Sequence, residues 1–410
     1  MTTFFNGFLI FAACFFLQAS KTNAQVNIDS TKTEERPFGG EEWYKKIRIR
    51  GYAQLRYNGL FETNPNLTCE QCDPAWGDGG GFSLRRVRII FFGQIHERVY
   101  FYIQPDFASG IGGSSTNYGQ LRDAYFDISL DKDREFRFRF GQSKVPYGFE
   151  NMQSSSNRLP LDRNDGINSA KKNERDHGIF FYWAPKKIRK RFSMFNKQGL
   201  KGSGDYGVFG LGLYNGQTAN KFEMNGEPHV VARLAYPFKI GNQYFEPGLQ
   251  AYTGKYEIAA SNISQGVGHN DDRNYLDQRV ALSTILYPRP FGIQAEYNVG
   301  RGPEYDHATN SILVKDLHGG YVTLSYLLEF SGQKLYPFTR LQHYQGGKKH
   351  ELDARTYNVN ELEVGLEWLP YPNFEIVAMY TFSERRYEDA VRLNNFQTGS
   401  LMRFQFQVFF

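Results

Sequence analysis

The sequence predicts an all-β fold, an antiparallel β-barrel of about 16 strands. Three observations carry that reading. Polar and apolar residues alternate one by one along segment after segment. The connections between segments alternate between long and short. The composition favours strands and turns, with 36 Phe, 27 Tyr and 41 Gly in 410 residues against only 6 Met. The chain is 40% hydrophobic, yet its mean hydropathy is −0.54. After residue 24 no apolar run approaches the ~18–20 residues of a spanning helix, which excludes a helical membrane protein. A net charge of +5 is mildly basic and gives no reason to expect a nucleic-acid partner.

Residues 4–19, FFNGFLIFAACFFLQA, form an apolar core of export-signal length, followed by KTNA and a polar start QVNIDS. This predicts a signal peptide over 1–24 with cleavage after Ala24, although no Lys or Arg precedes the core. Residues 25–45 are polar and read as a loose periplasmic extension. Residues 46–410 make up the barrel. Cys69 and Cys72 lie close together in NLTCEQCDP. In an exported chain such a pair predicts a loop-stapling disulfide. Free thiols and a metal site are the alternatives, and no second CxxC exists to complete a metal site.

The first strand is the clearest. In KIRIRGYAQLRY (46–57), Ile47, Ile49, Ala53, Leu55 and Tyr57 share one face; Arg48, Arg50, Tyr52, Gln54 and Arg56 share the other. EFRFRF (135–140) sets three Phe against Glu135, Arg137 and Arg139, and LMRFQFQVFF at the end sets Phe404, Phe406, Val408 and Phe410 against Arg403, Gln405 and Gln407. Read in this way, strands fall near 46–57, 83–95, 98–108, 120–130, 134–142, 177–184, 206–214, 229–238, 243–254, 275–287, 291–299, 318–329, 335–344, 358–369, 373–384 and 400–410. Long connections follow every odd strand and tight turns every even one. Long loops on one rim and short turns on the other are the habit of a transmembrane barrel. One connection breaks the order: 185–205 is long where a short turn is due.

The apolar faces are four to five alternate positions tall, the height that a strand of about 9–11 residues presents to lipid. The opposite faces carry Arg, Glu, Asp and Gln, which a dry core would not accept unpaired. A closed barrel satisfies every backbone group in hydrocarbon, and at about 16 strands it encloses water. Tyr57, Tyr100, Tyr182, Trp183, Trp368 and Tyr380 suit the interfacial girdles of such a barrel. The carboxyl-terminal Phe410, closing an amphipathic last strand, reads as an outer-membrane assembly signal.

At FRFGQSKVPYGFE (138–150) the sequence resembles the phosphate-selective porin O and P family, whose members carry a strand ending Gly-Gln-x-Lys-x-Pro-Phe/Tyr-Gly ahead of a long loop. FSLRRVRIIFFGQI (82–95), LRDAYFDI (121–128), GGYVTLSYLLE (319–329), LEVGLEWLP (362–370) and RFQFQVFF (403–410) resemble it in the same order. The resemblance implies a trimeric bacterial outer-membrane channel passing small inorganic anions, phosphate or polyphosphate among them, with outer-membrane lipid as its surround. It implies that arginines climb the inner wall as a ladder, and it places Lys144 in the family motif; 143–176, the longest connection, is the natural candidate to fold inward and narrow the pore.

Projected inward, the alternation supplies the rungs Arg48, Arg50, Arg56, Arg86, Arg88, Arg137, Arg139, Arg233, Arg279 and Arg403, and Lys144 joins them. Guanidinium suits phosphate because its fork donates in pairs and stays charged. Asp106, Asp123, Asp127, Glu246, Glu296, Glu361, Glu363, Glu367 and Glu375 project inward as well. They leave two other readings open: a general porin of weak selectivity, and a barrel whose long loops bind a partner. The sequence has no HExxH, GxSxG or GxxxxGK and no ligand-spaced histidines, so neither an enzyme, a metal nor a cofactor is expected.

Overall fold

A computed structural model describes residues 43–70, 73, 76, 77, 80–108 and 118–410. The signal-peptide reading and the extension up to residue 42 lie outside the described residues, as does Cys72. The strands are β1 (Arg48–Leu60), β2 (Gly81–His96), β3 (Val99–Asp106), β4 (Gln120–Ser129), β5 (Phe136–Lys144), β6 (Arg175–Trp183), β7 (Phe209–Tyr214), and β8 (His229–Ala235 with Phe238–Ile240). They continue with β9 (Gln243–Glu257), β10 (Asn274–Leu286), β11 (Phe291–Asp306), β12 (Ser311–Tyr326 with Leu328–Phe330), β13 (Gln333–Gly347), β14 (Thr356–Tyr371), β15 (Phe374–Glu388) and β16 (Phe396–Phe409). Pro237, which has no N–H to give, lies in the break within β8, and both halves pair with β9.

Each strand pairs antiparallel with its neighbours in sequence, and β1 pairs with both β2 and β16, so the sheet closes. At the seam Gly51 and Phe410 exchange backbone hydrogen bonds of 2.7 and 3.1 Å. The ring of Phe410 lies where a side chain on residue 51 would stand, 2.4 Å from the Cβ position, which is why a glycine is needed there. The predicted all-β antiparallel barrel is the observed fold, a closed barrel of 16 strands.

Burial runs opposite to that of a soluble domain. The largest fully buried side chains include Arg56, Arg233, Arg279, Arg340, Arg385 and Arg403, while Phe82 is 72% exposed and Leu282 63%. Exposed apolar residues on the outer wall and buried charge inside match a barrel whose outside meets acyl chains. Tyr57, Trp183, Trp368 and Tyr380 face outward; Tyr182 instead points inward and is fully buried, and Tyr100 lines the interior. Strand parity assigns those two, and it outweighs their closeness to a strand end.

The extracellular halves of several strands outrun the sequence reading. β11 runs on to Asp306 and β12 starts at Ser311. Above the membrane both faces meet water, so alternation fades while pairing continues. The irregular connection 185–205 holds a helix rather than a strand: α3, Lys186–Lys197, preceded by the short helices α1 (Phe149–Met152) and α2 (Asp165–Asn168). Its Ile188, Phe192 and Phe195, spaced four and three apart, are buried together against Tyr244, Ile285 and Tyr287 of the inner wall.

Candidate permeation pathway

The lumen is divided by two inserts. From the extracellular side the 145–174 loop folds inward and is tied to the wall by buried charges. Asp162 pairs with Arg56 at 3.0 Å and with Arg403. Asp165 pairs with Arg385 at 2.6 Å and with Lys348. Glu150 pairs with Arg340 at 2.8 Å; at the loop's own end Glu174 pairs with Arg163 of the loop and with the adjacent Arg175, at 2.7 Å each. Burial would raise the Glu174 carboxyl, but these guanidinia hold it well below the ordinary carboxylate range. The α2 end of the loop is capped by Asn164, whose side chain accepts from the Ile167 N–H at 2.9 Å. From the periplasmic side, α3 and the segment after it fill the mouth against β9 to β14.

Between the inserts, the β1–β6 wall and the periplasmic ends of β13–β16 lies a cavity of about 950 Å³. Its lining carries eleven basic residues, Arg50, Arg88, Arg134, Arg137, Arg139, Lys144, Arg175, Arg189, Lys197, Lys201 and Lys334. Only four acidic residues face them: Asp123, Asp127, Asp205 and Glu375. Asp205, beside α3, accepts from Arg137 and from Arg189, each at 2.8 Å. Burial raises its carboxyl, and the two guanidinia more than offset that, holding it below the usual range.

The projected rungs divide into distinct roles. Arg50 is exposed in the cavity, 5.0 Å over the ring of Phe92, and among the described residues it meets no carboxylate. Arg88 donates to Asp106 at 2.7 Å and to Tyr52 at 2.8 Å. Arg139 forks onto Asp127 at 2.8 and 3.0 Å while lying 3.8 Å over Tyr125. Arg86 is buried and donates to Gln54 at 2.9 Å, again with no carboxylate among the described residues. Arg48 is exposed at the start of β1. Arg56, Arg279 and Arg403 are fully buried fasteners for the loops, Arg279 donating to Ser169 Oγ at 2.6 Å. Arg233 pairs with Glu246 at 3.1 Å away from the cavity. Lys144 donates to the carbonyls of Met152 and Gln153 at 2.9 and 2.6 Å, so it anchors the loop while lining the cavity. Cys69 is buried and disulfide-bonded.

Sequence reasoning missed the loop fasteners Arg340 and Arg385 and the cations from the 185–205 segment. The period-two parity of β13 and β15 would have found the first two. The inward-projecting glutamates of β14 are met by cations: Glu361 pairs with Arg385 of β15 at 2.7 Å, Glu363 with Arg340 of β13 at 2.5 Å, and Glu367 with Lys201. Arg158, one of the basic residues of the constriction loop, is buried there with Nε and Nη1 unbonded among the described residues. Burial, reinforced by Arg163, pushes its guanidinium down to about 9.

A closed barrel with a lipid-facing apolar wall, long loops at one end and a charged, partly filled lumen defines an outer-membrane porin. Solved structures agree on the fold. The outer membrane channel DcaP of Acinetobacter baumannii superposes with a TM-score of 0.55 at 13% identity, covering 89% of this chain and 97% of that one. OmpF of Salmonella typhi does so at 0.54 and 14% identity, with the same coverage. No curated protein matches the sequence. The family model of phosphate-selective porin O and P matches residues 73–410, and the chain belongs to that family.

Proposed function

We propose that this porin is a passive diffusion channel with a preference for anions, phosphate or polyphosphate among its solutes, working as a homotrimer. The observation that carries the preference is the cavity lining of eleven basic against four acidic side chains. In a narrow space with low-dielectric walls such an excess lowers the entry barrier for anions and raises it for cations. The ladder that does this is shorter than the sequence projection: Arg50, Arg88, Arg137 and Arg139 with Lys144 and Arg175 face the cavity. Their carboxylate partners at Asp127, Asp123 and Asp205 temper the field, so anion binding competes with internal ion pairs. The trimer rests on the family likeness alone. Reversal potentials of the purified protein in planar bilayers under a KCl gradient test the reading. Chloride permeating several-fold faster than potassium is expected, with phosphate reducing the chloride current. A cation preference would end it.

A further inference from the structure

The cavity wall that carries the cations also presents the rings of Tyr100, Tyr102 and Tyr125, with Phe92 beside them at its margin. Phe92 of β2 stands opposite Tyr102 of β3, and Tyr102 opposite Tyr125 of β4. Tyr102 and Tyr125 stack with centroids 5.1 Å apart and planes 12° from parallel. The column ends in charge on both sides, Arg50 at 5.0 Å over Phe92 and Arg139 at 3.8 Å over Tyr125. Tyr100 lines the same cavity one step nearer the periplasmic turn. Tyr100, Tyr102 and Tyr125 are only half-buried, and among the described residues the hydroxyls of Tyr100 and Tyr125 make no hydrogen bond. A wall that passed only bare inorganic ions would gain nothing from partly exposed rings. Water would wet Gln or Ser there more readily.

We propose that this wall is a binding track for organic anions that carry a flat aromatic ring, the ring lying along Tyr100 and Tyr102 and the carboxylate on Arg50. The assignment rests on the anion reading of the channel and names its solute class. Arg50 is suited to the charge because no internal carboxylate competes for it among the described residues. The tyrosines offer faces and edges to a ring, and a guanidinium adds an attractive plane. A few convergent polar groups beside apolar surface are the usual makeup of a small-molecule site.

The test uses the purified mature protein in planar bilayers carrying chloride current, with benzoate as the probe and acetate and phosphate as comparators. Benzoate is expected to block at a concentration at least tenfold below that of either comparator. Tyr102→Leu should raise its half-blocking concentration about tenfold, Tyr102→Phe should keep it, and the chloride-to-potassium ratio should not move. Tyr100→Leu serves as the second variant should Tyr102→Leu not assemble. Benzoate blocking no better than acetate, or blocking both leucine variants as it blocks the native channel, would overturn the track. A cation-selective native channel would instead overturn the parent reading, so the two failures are told apart.

Discussion

The two inserts in the lumen are held by different balances of charge and apolar burial. The 145–174 loop brings Glu150, Asp162 and Asp165 to arginines of the wall as buried ion pairs, and it shares apolar clusters with the wall through Tyr147, Ile167, Leu159 and Leu161. The helix Lys186–Lys197 brings Ile188, Phe192 and Phe195 to an apolar patch of the inner wall at Tyr244, Ile285 and Tyr287. Each insert complements the patch that receives it. A charged anchor is sensitive to the loss of either partner, because the survivor is left buried and unpaired. An apolar anchor loses transfer and cavity terms in proportion to the volume removed.

The largest effect should come from breaking a charged anchor. Asp165→Ala leaves the fully buried Lys348 with only Glu351 at 4.0 Å and the fully buried Arg385 with only Glu361. The cost should be about 3–5 kcal/mol of loop anchoring. Single-channel conductance should rise roughly twofold as the loop leaves the lumen, and the folded band on unheated gels should melt at lower temperature. Unchanged conductance and melting would mean the loop is held by its backbone contacts instead. The apolar anchor comes next. Phe195 is fully buried and lies 3.8 Å, ring centroid to ring centroid, from Tyr287. Phe195→Ala should cost the helix about 3 kcal/mol of docking. Trypsin cleavage within 186–197 should then speed up about a hundredfold, since cutting needs the helix to open first. An unchanged cleavage rate would show that the helix does not depend on that ring.

The same contrast explains what could be read from the sequence. Strand existence and facing were legible because lipid on one side and water on the other impose period two over the whole wall. The loop was legible from its length and from the motif around Lys144. The helix was not: its twelve residues hold six Lys or Arg, and charge masked the four-three spacing of Ile188, Phe192 and Phe195. Most of the projected arginines are buried inside the barrel, yet their partners were hidden from the sequence. Whether a luminal arginine meets solute or a carboxylate depends on which loop residue reaches it. Asp162 reaches Arg56 across 106 positions, and no local pattern announces that.

A third effect lies where the two inserts share the cavity with the wall. Asp205 sits between Arg137 of β5 and Arg189 of the helix. Its folded-state carboxyl titrates below the unfolded value, so its contribution is complete above the unfolded pKa of about 3.8 and is lost as pH falls further. Asp205→Asn should cost about 2 kcal/mol near neutrality, typical of charge-assisted hydrogen bonds. It should also flatten that acid limb in a melting-temperature profile. It frees two guanidinia in the cavity, so the chloride-to-potassium permeability ratio should rise. A fall in that ratio would show that Asp205 shapes the path rather than tempering its charge.

The smallest effect separates two cations on one helix, three positions apart. Arg189 reaches Asp205 and lines the cavity, whereas Lys186 pairs with Asp133 at 2.5 Å where both side chains are 55% exposed. A pair so open to water is screened by salt and gains little from its geometry. Lys186→Ala should therefore leave melting temperature and ion selectivity where they were. Arg189→Ala should lower both, because it strips one of the two donors from a carboxylate that stays in the cavity. If Lys186→Ala moved the selectivity as far as Arg189→Ala, the helix would act through its summed charge at the periplasmic mouth. Position along the cavity wall would then count for nothing.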